Sequence, residues 1–357
     1  MINNTRGNAS VTVLVVMFAL AVMFTAAAFF MRELVGFYGE VETAADLHTE
    51  LRAEAVRLIE LMTEDPTPEA DSYLDPVWSE ISFASSAALK IKLEDVSSRI
   101  NPNQAYDYIL NAAHIFESTT TYEAFHDYRV EHGPVLDLAK EYGEFFKKDE
   151  LSKYCTSYGW FNVNTSNESM LYLLFELRTG KKAEGTLFAS RLRQKRTAKE
   201  LFTAASVKEL LGVDLEAVYP FISSEPEINV NLAPRAVLFT VLTVGKNVYK
   251  VPLKDGLVDD ILAVRMGSEI TAEGLTNLIR PKFRTTIMES YLGVTTWFWR
   301  LTLEKNGRRY RCVFARLPAL PGEKDDTPRF RIVEETFGPA APETEADNAT
   351  EEIPGGE

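Results

Sequence analysis

The sequence predicts an α+β protein: a long N-terminal helix packed on an antiparallel sheet, with a large all-α insertion domain between the strands. Three observations carry this expectation. Val11–Phe30 is an uncharged apolar run of twenty residues that leads, with no proline, into an amphipathic stretch. β-rich runs lie near residue 90 and beyond residue 295, the second as a pair joined by Asn306-Gly307, which suits a type I′ turn. Between them, residues 103–290 keep apolar residues at helical spacing almost throughout.

The elements follow in order. Twenty apolar residues in a helix span ~30 Å, the hydrocarbon thickness of a bilayer. A secretory signal core is usually ~7–15 residues, so the run reads as a retained span over 11–30 in preference to a cleaved signal. Val41, Ala44, Ala45, Leu47, Leu51, Ala55, Leu58 and Leu61 then form a stripe, with Glu and Arg opposite, that needs something to lie against. The helix is therefore expected to run over residues 8–65, weakened but not broken at Gly36 and Gly39. Pro66 and Pro68 open a linker. Leu89, Ile91 and Leu93 alternate with Lys90, Lys92 and Glu94 as a half-buried strand, and Trp78–Phe83 is assigned as its partner.

Within the insertion, helices are predicted over Gln104–Glu117, Val135–Phe146, Ser169–Leu177, Thr186–Leu211, Ala233–Val244, Gly256–Arg265 and Thr271–Ile279. Pro328–Phe337 is a further strand after the hairpin. Residues 338–357 hold six acids and no base, the pattern of a disordered, solvated tail.

Net charge is −14, with 38 Lys and Arg against 52 Asp and Glu. Such acidity argues against nucleic acid as the main partner. Two cysteines, Cys155 and Cys312, exclude a disulfide-dense scaffold and multi-cysteine metal patterns. One disulfide between them is allowed in an oxidising compartment; two unrelated buried thiols are the alternative. His126 and His132, with Asp127 and Glu131, read as a polar loop more than as metal ligands. Arg191, Arg193, Lys195, Arg196 and Lys199 spread around a helix and read as a solvated face, with an acidic partner as the alternative.

One echo is visible. "SSRINPNQA" and "EPEINVNLA" both read Ile-Asn-x-Asn-x-Ala before a predicted helix. Asn103 and Asn231 are expected to cap those helices, while Asn101 and Asn229 tie the preceding turns. The match is too short to indicate a repeated domain.

Arg6-Gly7 directly before the apolar run resembles a prepilin peptidase site, with cleavage after Gly7 and a mature chain beginning at Asn8. A long helix, membrane-apolar and then amphipathic, resembles a type IV pilin or pseudopilin. The fifth mature residue, normally glutamate in such proteins, is Thr12 here. "DVSSRINPN" (Asp95–Asn103), "INVNLAPRAVL" (Ile228–Leu238), "GLVDDILAVRMG" and the closing strand pair then occur in an order similar to general secretion pathway protein K, the large minor pseudopilin of type II secretion systems. Leu232 stands where that family's pattern has threonine.

The resemblance implies a pilin-like fold, no enzymatic activity and a single-pass inner-membrane location with a periplasmic domain. It also implies methylation at the processed terminus. The implied partners are other minor pseudopilins, the major pseudopilin, the inner-membrane secretion platform and prepilin peptidase. It allows calcium in the inserted domain, for which the sequence assigns no ligands. The expected organisation is a leader over 1–7, the long helix over 8–65, a first pilin-like part over 66–102, the insertion over 103–290, the closing strands over 291–337 and the tail over 338–357. An alternative from another class rests on 206–280, which resembles helix-hairpin-helix units of membrane-anchored DNA-binding proteins. Lys246 and Lys250 would face phosphate there, but Asp255, Asp259 and Asp260 crowd the same region.

Overall fold

A computed structural model describes residues 5–197, 201–279, 286–318 and 328–340. The chain forms two compact units, residues 1–56 and 57–357. Helix α1 (Thr5–Thr63) supplies the whole described part of the first and enters the second without interruption at Gly36 or Gly39. Val16–Glu33 is long and apolar enough to cross a membrane, and Val16, Phe18, Met23, Phe24, Phe29 and Phe30 are exposed along it. The amphipathic stripe is narrower than predicted: Leu47, Leu51, Ala55 and Leu58 are buried, but Val41 and Ala45 are exposed. Ile59 and Met62 join the buried set in place of Leu61, which is half-buried.

In the second unit, α2 (Pro76–Phe83) precedes β1 (Lys90–Asp95). The strand assigned to Trp78–Phe83 is thus a helix. Pro76 opens it and Asp75 Oδ1 accepts the Val77 N–H at 2.8 Å, a start signal that outweighs the aromatic content. Next come α3 (Asp107–Ala112), α4 (Thr119–His132), α5 (Leu138–Tyr142) and α6 (Lys148–Tyr154). They are followed by β2 (Phe161–Asn162), α7 (Glu168–Thr179), α8 (Lys182–Thr197), α9 (Ala204–Leu211) and α10 (Leu215–Val218). The chain continues through β3 (Ile222–Ser223), β4 (Ile228–Asn229), α11 (Arg235–Asn247), α12 (Leu257–Gly267), α13 (Ala272–Ile279), α14 (Thr286–Tyr291) and β5 (Leu292–Gly293). It ends in β6 (Phe298–Lys305), β7 (Arg308–Arg316) and β8 (Phe330–Pro339).

The predicted 186–211 helix is two helices, with Thr203 opening α9 through a capping box with Ser206. Ser118 caps α4, so the segment holding His126 and His132 is helical, not a loop.

One antiparallel sheet has the order β1-β6-β7-β8. Leu93 lies opposite Leu301, Leu301 opposite Cys312, and Cys312 opposite Glu335. Asn306 and Gly307 take φ values of 52° and 69°, the left-handed pair that a type I′ turn requires. Trp299 and Phe314 stack at 5.5 Å with Phe330 edge-on to both, and Trp299 and Phe314 are fully buried. Strand β8 runs through Gly338 and Pro339, two positions assigned to the tail; residues 341–357 lie outside the described residues. Residues 96–297 therefore separate the first strand of this sheet from the rest.

No bond joins Cys155 to Cys312, correcting the allowed disulfide. Cys155 sits in a helical core with Ile100 and Leu151, whereas Cys312 is buried within the sheet on β7.

Candidate functional site

Three segments between β1 and β6 share one local structure: Ile100–Ala105, Phe161–Ser166 and Ile228–Ala233. In each, the first asparagine side chain accepts the N–H two residues on. Asn101 binds Asn103 N at 3.0 Å, Asn162 binds Asn164 N at 2.7 Å and Asn229 binds Asn231 N at 2.9 Å. Its carbonyl also accepts the N–H four residues on, at 2.9, 2.8 and 2.8 Å for Ala105, Ser166 and Ala233.

The second asparagine then grips both backbone groups of one distant residue. Asn103 accepts from Val135 N at 2.9 Å and donates to Val135 O at 2.7 Å. Asn164 does the same to Phe202 at 2.7 and 3.1 Å, and Asn231 to Ile270 at 2.9 and 3.0 Å. An amide offers a donor and an acceptor side by side and so imitates a backbone partner; aspartate, which only accepts when ionised, cannot. The capping role expected of Asn103 and Asn231 is corrected accordingly. The residues preceding α3 and α11 are Tyr106 and Pro234, neither with a side-chain cap.

An arginine completes each clamp. Arg129 donates to Pro102 O and Ala105 O, both at 2.8 Å. Arg196 donates to Val163 O at 3.0 and 2.6 Å and to Ser166 O at 2.7 Å. Arg265 donates to Val230 O at 3.2 Å and Ala233 O at 2.7 Å.

Parallel pairing closes each unit where it opened. Ile100 bridges Cys155, Phe161 pairs with Ile222, and Ile228 pairs with Leu292. The two segments of the echo, read as too short for a repeat, are thus the first and third of three tandem clamp units. The second was missed because Phe161 and Ser166 replace the flanking Ile and Ala, yet its "NVNTS" supplies the threonine absent at Leu232. Arg129 was not singled out, and Arg265 entered only within "GLVDDILAVRMG"; the available signal was an arginine five or six residues before Val135, Phe202 and Ile270. Arg196 was assigned to a solvated face, and it is a clamp residue instead. Lys195 lies over the Phe202 ring, while Lys199 falls outside the described residues.

Packing separates the units. The first and third share one core, including Ile109, Leu110, Phe125, Tyr142, Val237, Leu238 and Ile261. The second has its own, around Met170, Leu174, Phe188, Leu192 and Ile222.

A second cluster lies in the linker. Oxygens of Asp65, Asp71 and Asp75 come within 4.8 Å of one another. Asp71 pairs with Arg316 at 2.8 Å, accepts Thr296 N at 2.6 Å, and takes the Asn229 amide on its carbonyl at 2.8 Å. Burial pushes its carboxyl up to about 7 against the pull of Arg316, and pushes Asp75 up to about 6 with help from Asp65. Hard carboxylate oxygens suit a divalent cation such as calcium, and the mutual repulsion here would favour one. Asp65 accepts the Thr67 N–H and Asp75 those of Val77 and Trp78, while Arg316 already serves Asp71.

Other sequence-derived candidates fall elsewhere. Gly7, Asn8 and Thr12 lie on the backbone of α1; their side chains, and Met1–Asn4, are outside the described residues. His126 pairs with Asp107 at 2.8 Å and His132 bonds Tyr128 O at 2.9 Å, so the two histidines have separate partners. On the α11–α12 pair, Arg235 meets Asp259, Lys246 meets Asp255 and Lys254 meets Asp260, at 2.5, 2.5 and 2.6 Å. That offsets Lys246, one of the two lysines the DNA-binding alternative needs, while Lys250 is exposed.

No protein-family model matches the chain, and no curated protein matches it. Among solved structures, the chain is similar to one in the GspK-GspI-GspJ complex of the enterotoxigenic Escherichia coli type 2 secretion system. Identity is 12%, the match covers 84% of this chain and 98% of that chain, and the TM-score is 0.29.

Proposed function

We propose that this protein is a minor pseudopilin of a type II secretion system, starting or capping the tip of a short periplasmic pseudopilus and acting by subunit contacts. The observation that carries the reading is α1: one helix from Thr5 to Thr63, membrane-apolar in its first half and buried at helical spacing in its last turns, with Arg6-Gly7 just ahead of its apolar run. Cleavage after Gly7 would place Thr12 at the fifth mature position. A carboxylate at membrane depth is costly unless paired, and in pilin-like filaments glutamate there pairs with a neighbour's terminal amine. Threonine cannot serve a subunit ahead of it, although the amine at Asn8 can still serve a glutamate below. That asymmetry suits a tip. The bulk of residues 96–297, inserted between β1 and β6, would obstruct further addition.

In this reading the protein sits in the inner membrane by a single span, and its partners are two other minor pseudopilins, then the major pseudopilin, the secretion platform and prepilin peptidase. It is not an enzyme. Calcium, where it binds, would sit at the Asp65, Asp71 and Asp75 cluster, which lies outside the 103–290 insertion where the resemblance allows it.

Amino-terminal sequencing of membrane-extracted protein is the test, with Asn8 expected first. A start at Met1 or after Phe30 would sink the reading, as would unchanged co-purification with minor pseudopilins in Gly7→Phe.

A further inference from the structure

We propose that Glu227 is a proton-operated latch where the three clamp units meet, tightening their junction when protonated and loosening it when ionised. The inference rests on the clamp geometry and is independent of the secretion reading. Glu227 lies just ahead of the third clamp. Its Oε2 accepts from Gln104 Nε2 at 3.0 Å and its Oε1 from Thr165 Oγ1 at 2.6 Å. Gln104 and Thr165 occupy the same position, after the second asparagine, in the first and second clamps. Gln104 in turn holds the second clamp: its Oε1 accepts from Asn162 N at 3.0 Å and Ser166 Oγ at 2.6 Å, and its carbonyl from Asn167 N at 2.7 Å. One carboxyl group thus touches all three units.

Among the described residues that line its surroundings there is no counter-charge. Glu227 lines two small cavities, one with Ser97, Trp160, Glu225 and Trp297, the other with Asn101, Ile109, Val241 and Tyr291. The titratable groups facing it there are Glu225 and Tyr291, and neither lining includes Lys, Arg or His. Tyr291 stays neutral, since burial and the adjoining Tyr249 and Tyr108 hold its hydroxyl well above the usual range. A desolvated carboxylate with two neutral donors and no cation prefers its proton. Burial accordingly pushes Glu227 up to about 7, against the Thr165 hydrogen bond.

The protonated form keeps both links. Its new O–H can donate to Thr165 Oγ1, which accepts as readily as it donates, while the other oxygen keeps the Gln104 amide. The folded carboxyl binds its proton more tightly than the ordinary value of 4.5 allows. Stability at the junction therefore rises as pH falls from about 7 toward 4.5, and is lost as pH climbs through about 7.

Hydrogen exchange of the full chain in detergent micelles, read over 161–166 and 228–233 and corrected for intrinsic rates, tests this. Protection is expected to increase ~10-fold or more from pH 8 to pH 5.5, and Glu227→Gln is expected to abolish that increase. The same pH dependence in Glu227→Gln overturns the proposal. Should that variant fail to fold, carboxyl NMR of wild-type protein labelled at glutamate decides: a glutamate titrating near 7 supports the latch, and titration of every glutamate near 4.5 overturns it.

Discussion

The second and third clamp units make the same backbone bonds with different surroundings. Both close by parallel pairing, both grip a distant residue through asparagine, and both tie two loop carbonyls with arginine. Yet the second builds a private core, while the third shares its core with the first. At the sixth position after the first asparagine, Glu168 lies 3.5 Å from the second unit's arginine, whereas the third unit has Arg235, which turns to Asp259. The polar scaffold is thus separable from the packing. Three asparagine–arginine sets fix the path of the loops, and the side chains behind them vary freely.

The largest expected effect contrasts the arginines. Arg129 is fully buried and serves two carbonyls and Asp107, so Arg129→Met leaves a carboxylate and two carbonyls short of a donor. A loss of ~3–5 kcal/mol in denaturant unfolding is expected. Arg265 is only half-buried, and Arg265→Met is expected to cost ~1–2 kcal/mol. Equal losses would break the view that the clamp arginines differ by burial. Of intermediate size, Asn164→Ala and Asn231→Ala should each cost ~2–3 kcal/mol, because both strand the N–H and carbonyl of a buried partner. Phe202 and Ile270 are those partners, and a clear difference between the two variants would show that packing contributes to the clamp. Smallest of all, Lys246→Ala removes an exposed pair with Asp255 and should leave the denaturant midpoint unchanged, marking the surface charges of the third unit as dispensable.

Much of the frame was legible from local chemistry. The Asn306-Gly307 turn, the alternation before Asp95 and the membrane-length run each carry their signal within a few residues. Trp78–Phe83 was assigned as a strand only as a partner for Leu89–Glu94, while the decisive signal was Asp75-Pro76 just ahead of it. The clamps were half legible. Asparagine at alternate positions announced a turn, but the partners Val135, Phe202 and Ile270 lie across a whole helical hairpin, and no local pattern points to them. Arg196 was misplaced for the same reason: among several basic neighbours, only its reach to Val163 and Ser166 distinguishes it.

The parallel closure of each unit has a consequence for how such a chain can change. Cys155 leads directly to Phe161, Ile222 to Ile228, and Leu292 to Phe298, so the chain leaves each unit beside the point where it entered. A unit is therefore a cassette. The second, with a core of its own, could be gained or deleted without moving the ends it is spliced into, at the loss of its links to Gln104 and Glu227, whereas the first and third share a core and would go together.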